Sequence, residues 1–369
     1  MNPASLPDNP YLLLTPGPLS TTKTVKAAMH RDWCTWDRDY NDLVQQIRQA
    51  LVQLAGAGDT FTSVLMQGSG TFCVEAALTT AVPTTGKLLV LANGAYGRRM
   101  VAIARRSGLA HLSQEGDECA PPDLKLLEAA LQSDSSITHV AVVHCETTTG
   151  MLNPVEAVGR LVKASGRCLI VDAMSSFGGI PMDWDAIGTD YLISSANKCI
   201  QGVPGFGFVI ARKSVLAATA GQARSLSLDL HDQWRTMEDH GGKWRFTSPT
   251  HVVRAFSQAL RELEDEGGIA ARHVRYKENQ RILVEGMERH GFQPLLPARW
   301  QSPIITAFHY PRRPAWEFNR FYEALKARGF VIYPGKVTDH ATFRIGNIGD
   351  VHPADMLRLI EAVGQTMAG

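Results

Sequence analysis

The sequence predicts an α/β fold built on a mostly parallel sheet, and three observations carry that expectation. Short apolar runs at Leu88–Ala92, Val140–His144, Cys168–Val171, Tyr191–Ser194 and Phe206–Ala211 are continuous instead of alternating, the pattern of strands covered on both faces. Helix-length polar segments separate them, as in repeated strand–helix–strand units. The 369 residues, 44% of them apolar and 20% charged, exceed what one hydrophobic core usually holds, so a large and a smaller domain are expected.

Each element has its own signal. In 41–55, Leu43, Val44, Ile47, Leu51 and Leu54 fall on one stripe while Arg48 and Gln49 fall elsewhere, which predicts an amphipathic surface helix. Phe72–Thr80 is a helix-forming run, and Asp123–Gln132 and Val155–Lys163 read as crossover helices with right-handed connections. Val252, Val253, Phe256, Leu260 and Leu263 mark a long helix running into Gly267-Gly268, where the texture changes. Beyond it come a helix at Tyr276–Met287, a strand at Ile304–Phe308, a helix at Glu317–Ala327, strands at Phe330–Tyr333 and Thr342–Ile345, and a last helix at Pro353–Met367. The expected division is a large domain over 15–256 and a small one over 257–369, with residues 1–14 packing nearby.

Composition narrows the function classes. Thirty-seven Lys and Arg against thirty-six Asp and Glu leave a net charge of +1, so no general field draws nucleic acid or an anionic membrane, and any anion must be gripped locally. The six cysteines are scattered, with no CxxC or Cys/His ligand spacing, so reduced thiols and no metal are expected. The first ten residues lack a basic start and an apolar run, and no apolar stretch of about 18 residues exists. A soluble cytoplasmic protein is the expectation.

Three segments could carry chemistry. Gln67-Gly68-Ser69-Gly70-Thr71 precedes a helix, so free N–H groups at its positive end, with the Ser69 and Thr71 hydroxyls, could cradle a phosphate, or the same residues could simply cap a turn. Asp172 ends an apolar strand, at the sheet edge where open α/β folds bind ligands. It could face a cationic ring nitrogen, or cap its own loop through Ser175 and Ser176. Lys198 follows Asp172 by 26 residues, at the end of the next strand and among small residues, where desolvation would favour the neutral amine that attacks an aldehyde. One cofactor uses all three features, having an aldehyde, a pyridine nitrogen and a phosphate: pyridoxal phosphate.

In this setting the chain resembles the class V aminotransferases of the aspartate-aminotransferase fold (fold type I). The likeness lies in Leu14-Thr15-Pro16-Gly17-Pro18, Gln67 to Thr71, Asn93-Gly94-Ala95-Tyr96-Gly97, His144-Cys145-Glu146-Thr147, Val171 to Ser176, Ser194 to Gly205, Trp244 to His251 and Phe343-Arg344-Ile345-Gly346. Within the family it is most similar to members that pass the amino group of 2-aminoethylphosphonate to pyruvate. The resemblance implies that Lys198 joins the cofactor aldehyde and moves the proton, and that Asp172 pairs with the ring nitrogen. It also implies that Tyr96 stacks on the ring, that Ser69, Gly70 and Thr71 hold the phosphate, and that Thr147 approaches the ring hydroxyl. Thr247 would reach the phosphate of a second copy, making the site shared across a homodimer. Arg344 would bind the substrate's anionic group, helped by backbone near Thr15 and Gly17. His144 and His251 are expected as hydrogen-bonding scaffold, and Arg98, Arg99, Arg105 and Arg106 as a solvated helix face.

Other readings share part of this evidence. An alanine–glyoxylate type aminotransferase or an aminophosphonate lyase would keep Lys198 and Asp172. A cysteine desulfurase would need a cysteine beyond Cys199, and the sequence has none. A dehydrogenase would need a dinucleotide fingerprint, which is missing. A cofactor-binding transcription regulator would need a DNA-binding module, for which the residues before Thr15 leave no room.

Overall fold

The structure, a computed structural model, describes residues 2–314, 316–335 and 340–368. Its principal sheet contains β1 (Phe61–Gly68), β2 (Lys87–Ala92), β3 (His111–Glu115), β4 (Ile137–Val143), β5 (Cys168–Asp172), β6 (Tyr191–Ser195) and β7 (Gly205–Arg212), in spatial order β1-β7-β6-β5-β4-β2-β3. Neighbours from β6 to β3 pair in parallel, whereas β7 is antiparallel to both β6 and β1. The reversal has a simple cause: the 196–204 connection is shorter than the dozen or so residues a parallel crossover takes. In consequence the carboxyl ends of β1 to β6 and the start of β7 share one sheet edge.

Two strands lie outside the sequence expectation. β3 is an edge strand whose side chains are mostly exposed, so it offers no apolar run. β1 is buried yet carries Thr62 and Ser63, whose polar groups are met by Arg48. Its Nε donates to the Ser63 carbonyl (2.8 Å), and its Nη2 donates to Thr62 Oγ1 (2.9 Å) and pairs with Glu238 (2.6 Å). Arg48, which falls off the apolar stripe of its helix, is nevertheless only 4% exposed. A buried guanidinium persists because each of its three nitrogens finds an acceptor, Nη1 on Gln45 Oε1.

Helices cover the sheet: α1 (Arg38–Ala55), α2 (Gly70–Ala81), α3 (Ala95–Arg106), α4 (Leu124–Ser133), α5 (Val155–Ala164), α6 (Leu230–Asp239) and α7 (Thr250–Asp265). Asp37 and Asp123 cap α1 and α4 through side-chain acceptors, and Gly56 ends α1 in the left-handed conformation (φ 67°). After α8 (Gly268–Arg289), the smaller layer holds β8 (Ile305–His309), α9 (Phe318–Ala327), β9 (Tyr333–Pro334), β10 (Thr342–Gly346) and α10 (Pro353–Ala368). β10 is the centre of its sheet, antiparallel to β8 and β9. The single strand expected at Phe330–Tyr333 is two: Phe330–Val331 pairs with Leu12–Leu13 of the N-terminal segment, and the chain then crosses to β9.

The buried apolar residues group accordingly. The main core runs in sequence from Val25 to Leu263; a second joins Leu14 to residues from Ile282 to Val363. A small third cluster, with Leu19, Cys145, Cys199, Tyr276 and Ile348, fills the junction. The expected boundary between 256 and 257 falls inside α7, whose Ala259 and Leu263 remain in the main core. Among the described residues no helix is long and apolar enough to cross a membrane.

Candidate active site

The expected site residues arrive at the shared sheet edge from separate elements. Asp172 is the last residue of β5 and is 3% exposed. Its Oδ1 accepts the Met174 N–H (2.9 Å), while the hydroxyls that could have capped it turn elsewhere: Ser175 donates to the Cys145 carbonyl and Ser176 meets His144 Nδ1. Burial pushes the carboxyl up to about 6, against the pull of the Met174 N–H, Arg99 and Lys198. At neutral pH it stays mainly ionised, and a cation facing it would hold it so more firmly.

Lys198 lies in the turn after β6. Burial lowers its amine to about 8, an effect that the Cys199 thiol and Asp172 oppose and that Arg344 and Arg99 reinforce. Nζ donates to the Pro16 carbonyl (2.8 Å). The approach of that segment demands glycine at 17: its φ is +115°, and a Cβ there would stand 2.8 Å from Nζ. Thr15 Oγ1 closes the same turn by donating to the Pro18 carbonyl (2.6 Å).

Ser69 occupies the cap position of α2 without a side-chain capping bond, and the first turn holds no acidic residue. The side-chain capping alternative is thus not the one adopted; the Phe72 N–H donates to the Ser69 carbonyl (3.0 Å), and the Gly70 and Thr71 N–H groups ahead of it are left for an anion. Gly70 packs on the Met174 side chain, which would have to shift to admit a Cβ there. The Thr71 hydroxyl instead accepts Arg99 Nη1 (3.2 Å). Tyr96, in the first turn of α3, is half-buried, and the Arg99 guanidinium carbon lies 4.8 Å from its ring centroid.

Arg344, from the middle of β10, is 3% exposed. Nη1 donates to the Thr147 carbonyl (2.9 Å), Nη2 to the Pro334 carbonyl (3.1 Å), and the guanidinium lies over Tyr333. The Thr147 hydroxyl has no hydrogen bond among the described residues, so it is available to a ligand. Thr247 is exposed and bonds to no residue of the phosphate-type loop in its own chain. His144 is buried and held neutral, its imidazole lowered to about 4 by desolvation. His251 contacts Asp32 at the surface (3.0 Å).

Two residues gain a place here that the sequence reading did not assign. Glu146, 0% exposed, accepts the N–H groups of Tyr96 (3.2 Å) and Gly97 (2.8 Å), and burial pushes its carboxyl up to about 7 despite them. Arg99 is exposed like Arg98, Arg105 and Arg106, as expected, but it also reaches the Tyr96 ring and the Thr71 hydroxyl; its i, i+3 spacing from Tyr96 is the signal that could have found these contacts.

These features fit pyridoxal phosphate: uncapped N–H groups for a phosphate, an aromatic face for a ring, a buried carboxylate for a cationic nitrogen and a desolvated amine for an aldehyde. Comparison with known proteins agrees. Residues 20–314 match the family Aminotransferase class-V. A 2-aminoethylphosphonate--pyruvate transaminase of Syntrophobacter fumaroxidans is 65% identical, over 100% of this chain and 99% of its own. One from Vibrio vulnificus is 60% identical, over 97% of this chain and 98% of its own. Among solved structures, pyridoxamine-pyruvate aminotransferase from Mesorhizobium loti superposes with TM-score 0.88 at 23% identity, over 98% of this chain and 93% of the other. Alanine--glyoxylate aminotransferase from Nostoc sp. gives 0.88 at 25% identity, over 98% and 97%. The chain belongs to the class V aminotransferase family, with the fold type I architecture of its structural neighbours.

Proposed function

We propose that this enzyme transfers the amino group of 2-aminoethylphosphonate to pyruvate, giving phosphonoacetaldehyde and L-alanine, with pyridoxal phosphate as cofactor. The observation that carries the proposal is the buried Lys198 amine, drawn toward its neutral form at the sheet edge that also holds Asp172. The substrate assignment is supported by near-full-length relatives that bear this activity in their names.

Pyridoxal phosphate supplies an aldehyde that takes up amines and a ring that accepts electrons. Ser69, Gly70 and Thr71 would hold its phosphate, with Thr247 of a second copy. Tyr96 would cover the ring, Asp172 would keep the ring nitrogen protonated, and Thr147 would meet the ring hydroxyl. Lys198 Nζ would take the proton from the amine-bearing carbon of the substrate and return it on the far side of the transfer. For this its neutral form is needed, which burial favours. Arg344 would receive the phosphonate in one half-reaction and the carboxylate of pyruvate in the other. Those anions sit at different distances from the reacting carbon, and the planar fork of donors suits both oxyanions.

A homodimer belongs to this reading. Trp36, Phe72 and Phe246 are 79%, 51% and 50% exposed, with Phe72 next to the phosphate-type loop in sequence and Phe246 next to Thr247, exposed apolar side chains that a second copy would cover. A cytoplasmic location fits the six free cysteines.

The test is to incubate purified enzyme with pyruvate and 2-aminoethylphosphonate and to assay alanine together with phosphonoacetaldehyde. Both products in equal amount are expected. Alanine formed from another amino donor, with none from 2-aminoethylphosphonate, would move the assignment to the alanine–glyoxylate type.

A further inference from the structure

The proposed phosphate loop lacks one thing: a countercharge within its own segment. A phosphate monoester at neutral pH is close to a dianion, and a helix terminus offers only about half a unit of positive charge. Ser69, Gly70 and Thr71 add neutral donors alone.

Arg99 stands where that charge is needed. It projects from the second turn of α3, and its only hydrogen bond among the described residues goes to Thr71 Oγ1, at 3.2 Å. No carboxylate pairs with it among the described residues, whereas Arg98 approaches Glu118 at 3.8 Å, and Arg105 and Arg106 occupy the last turn of α3, where cations suit the helix dipole. The Tyr96 ring, 4.8 Å from the guanidinium carbon, holds it beside the loop and leaves most of its donors free. Its charge also reaches Asp172 and Lys198, lowering both groups.

We infer that Arg99 is a phosphate-binding residue: its guanidinium shares the Thr71 corner of the loop with the cofactor's phosphate and keeps that group dianionic. The inference rests on the pyridoxal phosphate reading. The substrate's phosphonate presents the same oxyanion chemistry. The bond to Thr71 favours the cofactor, because it ties Arg99 to the loop at the start of α2 and not to Arg344.

The experiment compares wild type, Arg99→Ala and Arg99→Lys, each resolved of cofactor and titrated with pyridoxal phosphate and with pyridoxal, which lacks the phosphate, by quenching of tryptophan fluorescence. Loss of a charge-assisted contact should weaken pyridoxal phosphate binding about 10- to 100-fold in Arg99→Ala while pyridoxal binding stays unchanged, and Arg99→Lys should recover most of the loss. The 31P resonance of the reloaded protein should be flat with pH in wild type and should titrate in Arg99→Ala. Equal weakening of both ligands would assign Arg99 to support of Tyr96 and overturn the inference, as would no weakening of either. A raised KM for 2-aminoethylphosphonate with unchanged cofactor affinity would overturn it in favour of the substrate's phosphonate. Failure of the wild type to bind pyridoxal phosphate would remove the cofactor reading itself.

Discussion

At the scale of single residues, the decisive quantity is the protonation of Lys198. Only the neutral amine attacks an aldehyde, and burial lowers this group from 10.5 to about 8. The neutral fraction therefore grows as pH rises through about 8, so the rate at which cofactor-free enzyme takes up pyridoxal phosphate should climb between pH 7 and 9 and level off above. Stopped-flow absorbance checks this; a rate still rising steeply towards pH 10.5 would mean an amine in ordinary solvent. Lys198→Ala should abolish turnover, and borohydride should then leave no pyridoxyl group on the protein. Lys198 and Asp172 were legible because a polar residue at the end of an apolar strand stands out in one dimension. The contacts of Arg99 were not, because Arg98, Arg99, Arg105 and Arg106 look alike until the helix turns one of them over Tyr96. Glu146 was hidden for a similar reason: its acceptors serve backbone N–H groups of α3, some fifty residues away in sequence.

At the scale of elements, the site depends on a backbone contact between the N-terminal segment and the smaller layer. The Gly346 N–H at the end of β10 donates to the Leu14 carbonyl (3.0 Å), and a Cβ at Gly346 would stand 2.5 Å from the Thr15 carbonyl oxygen. Backbone cannot step aside as a flexible side chain can, so Gly346→Ala should push the Thr15–Gly17 turn away and loosen the Pro16 carbonyl from Lys198. The expected cost is about 1–3 kcal/mol, read as a lower Tm, together with slower cofactor attachment; a variant with wild-type Tm and uptake would show that the turn does not depend on β10. Elements themselves were legible where burial is purely apolar, as in β4, β5 and β6. β1 was not, since Thr62 and Ser63 are tolerated only through Arg48, a partner from another helix. The reversal of β7 was not read from the sequence, because an apolar run carries no direction and only the short 196–204 connection tells it.

At the scale of the whole molecule, a shared site makes a prediction that no single chain can fulfil. Lys198 belongs to the chain that holds the cofactor, whereas Thr247, exposed and without a hydrogen bond to its own loop, would serve the neighbouring copy. In a hybrid dimer of one Lys198→Ala chain and one Thr247→Ala chain, the site on the second chain would combine an intact lysine with an intact threonine, and the other site would have neither. Under two-fold symmetry this pairing follows from geometry alone. Differently tagged variants, co-expressed and separated, should therefore yield a heterodimer with one site of wild-type cofactor affinity and about half the wild-type activity per dimer. The Lys198→Ala homodimer should be inactive and the Thr247→Ala homodimer should bind cofactor more weakly. If instead each chain completes its own site, the hybrid would contain only the weakened affinity of the Thr247→Ala chain. The measured affinity of the heterodimer's working site thus decides between a shared and a self-contained site, independently of which amino donor the enzyme prefers.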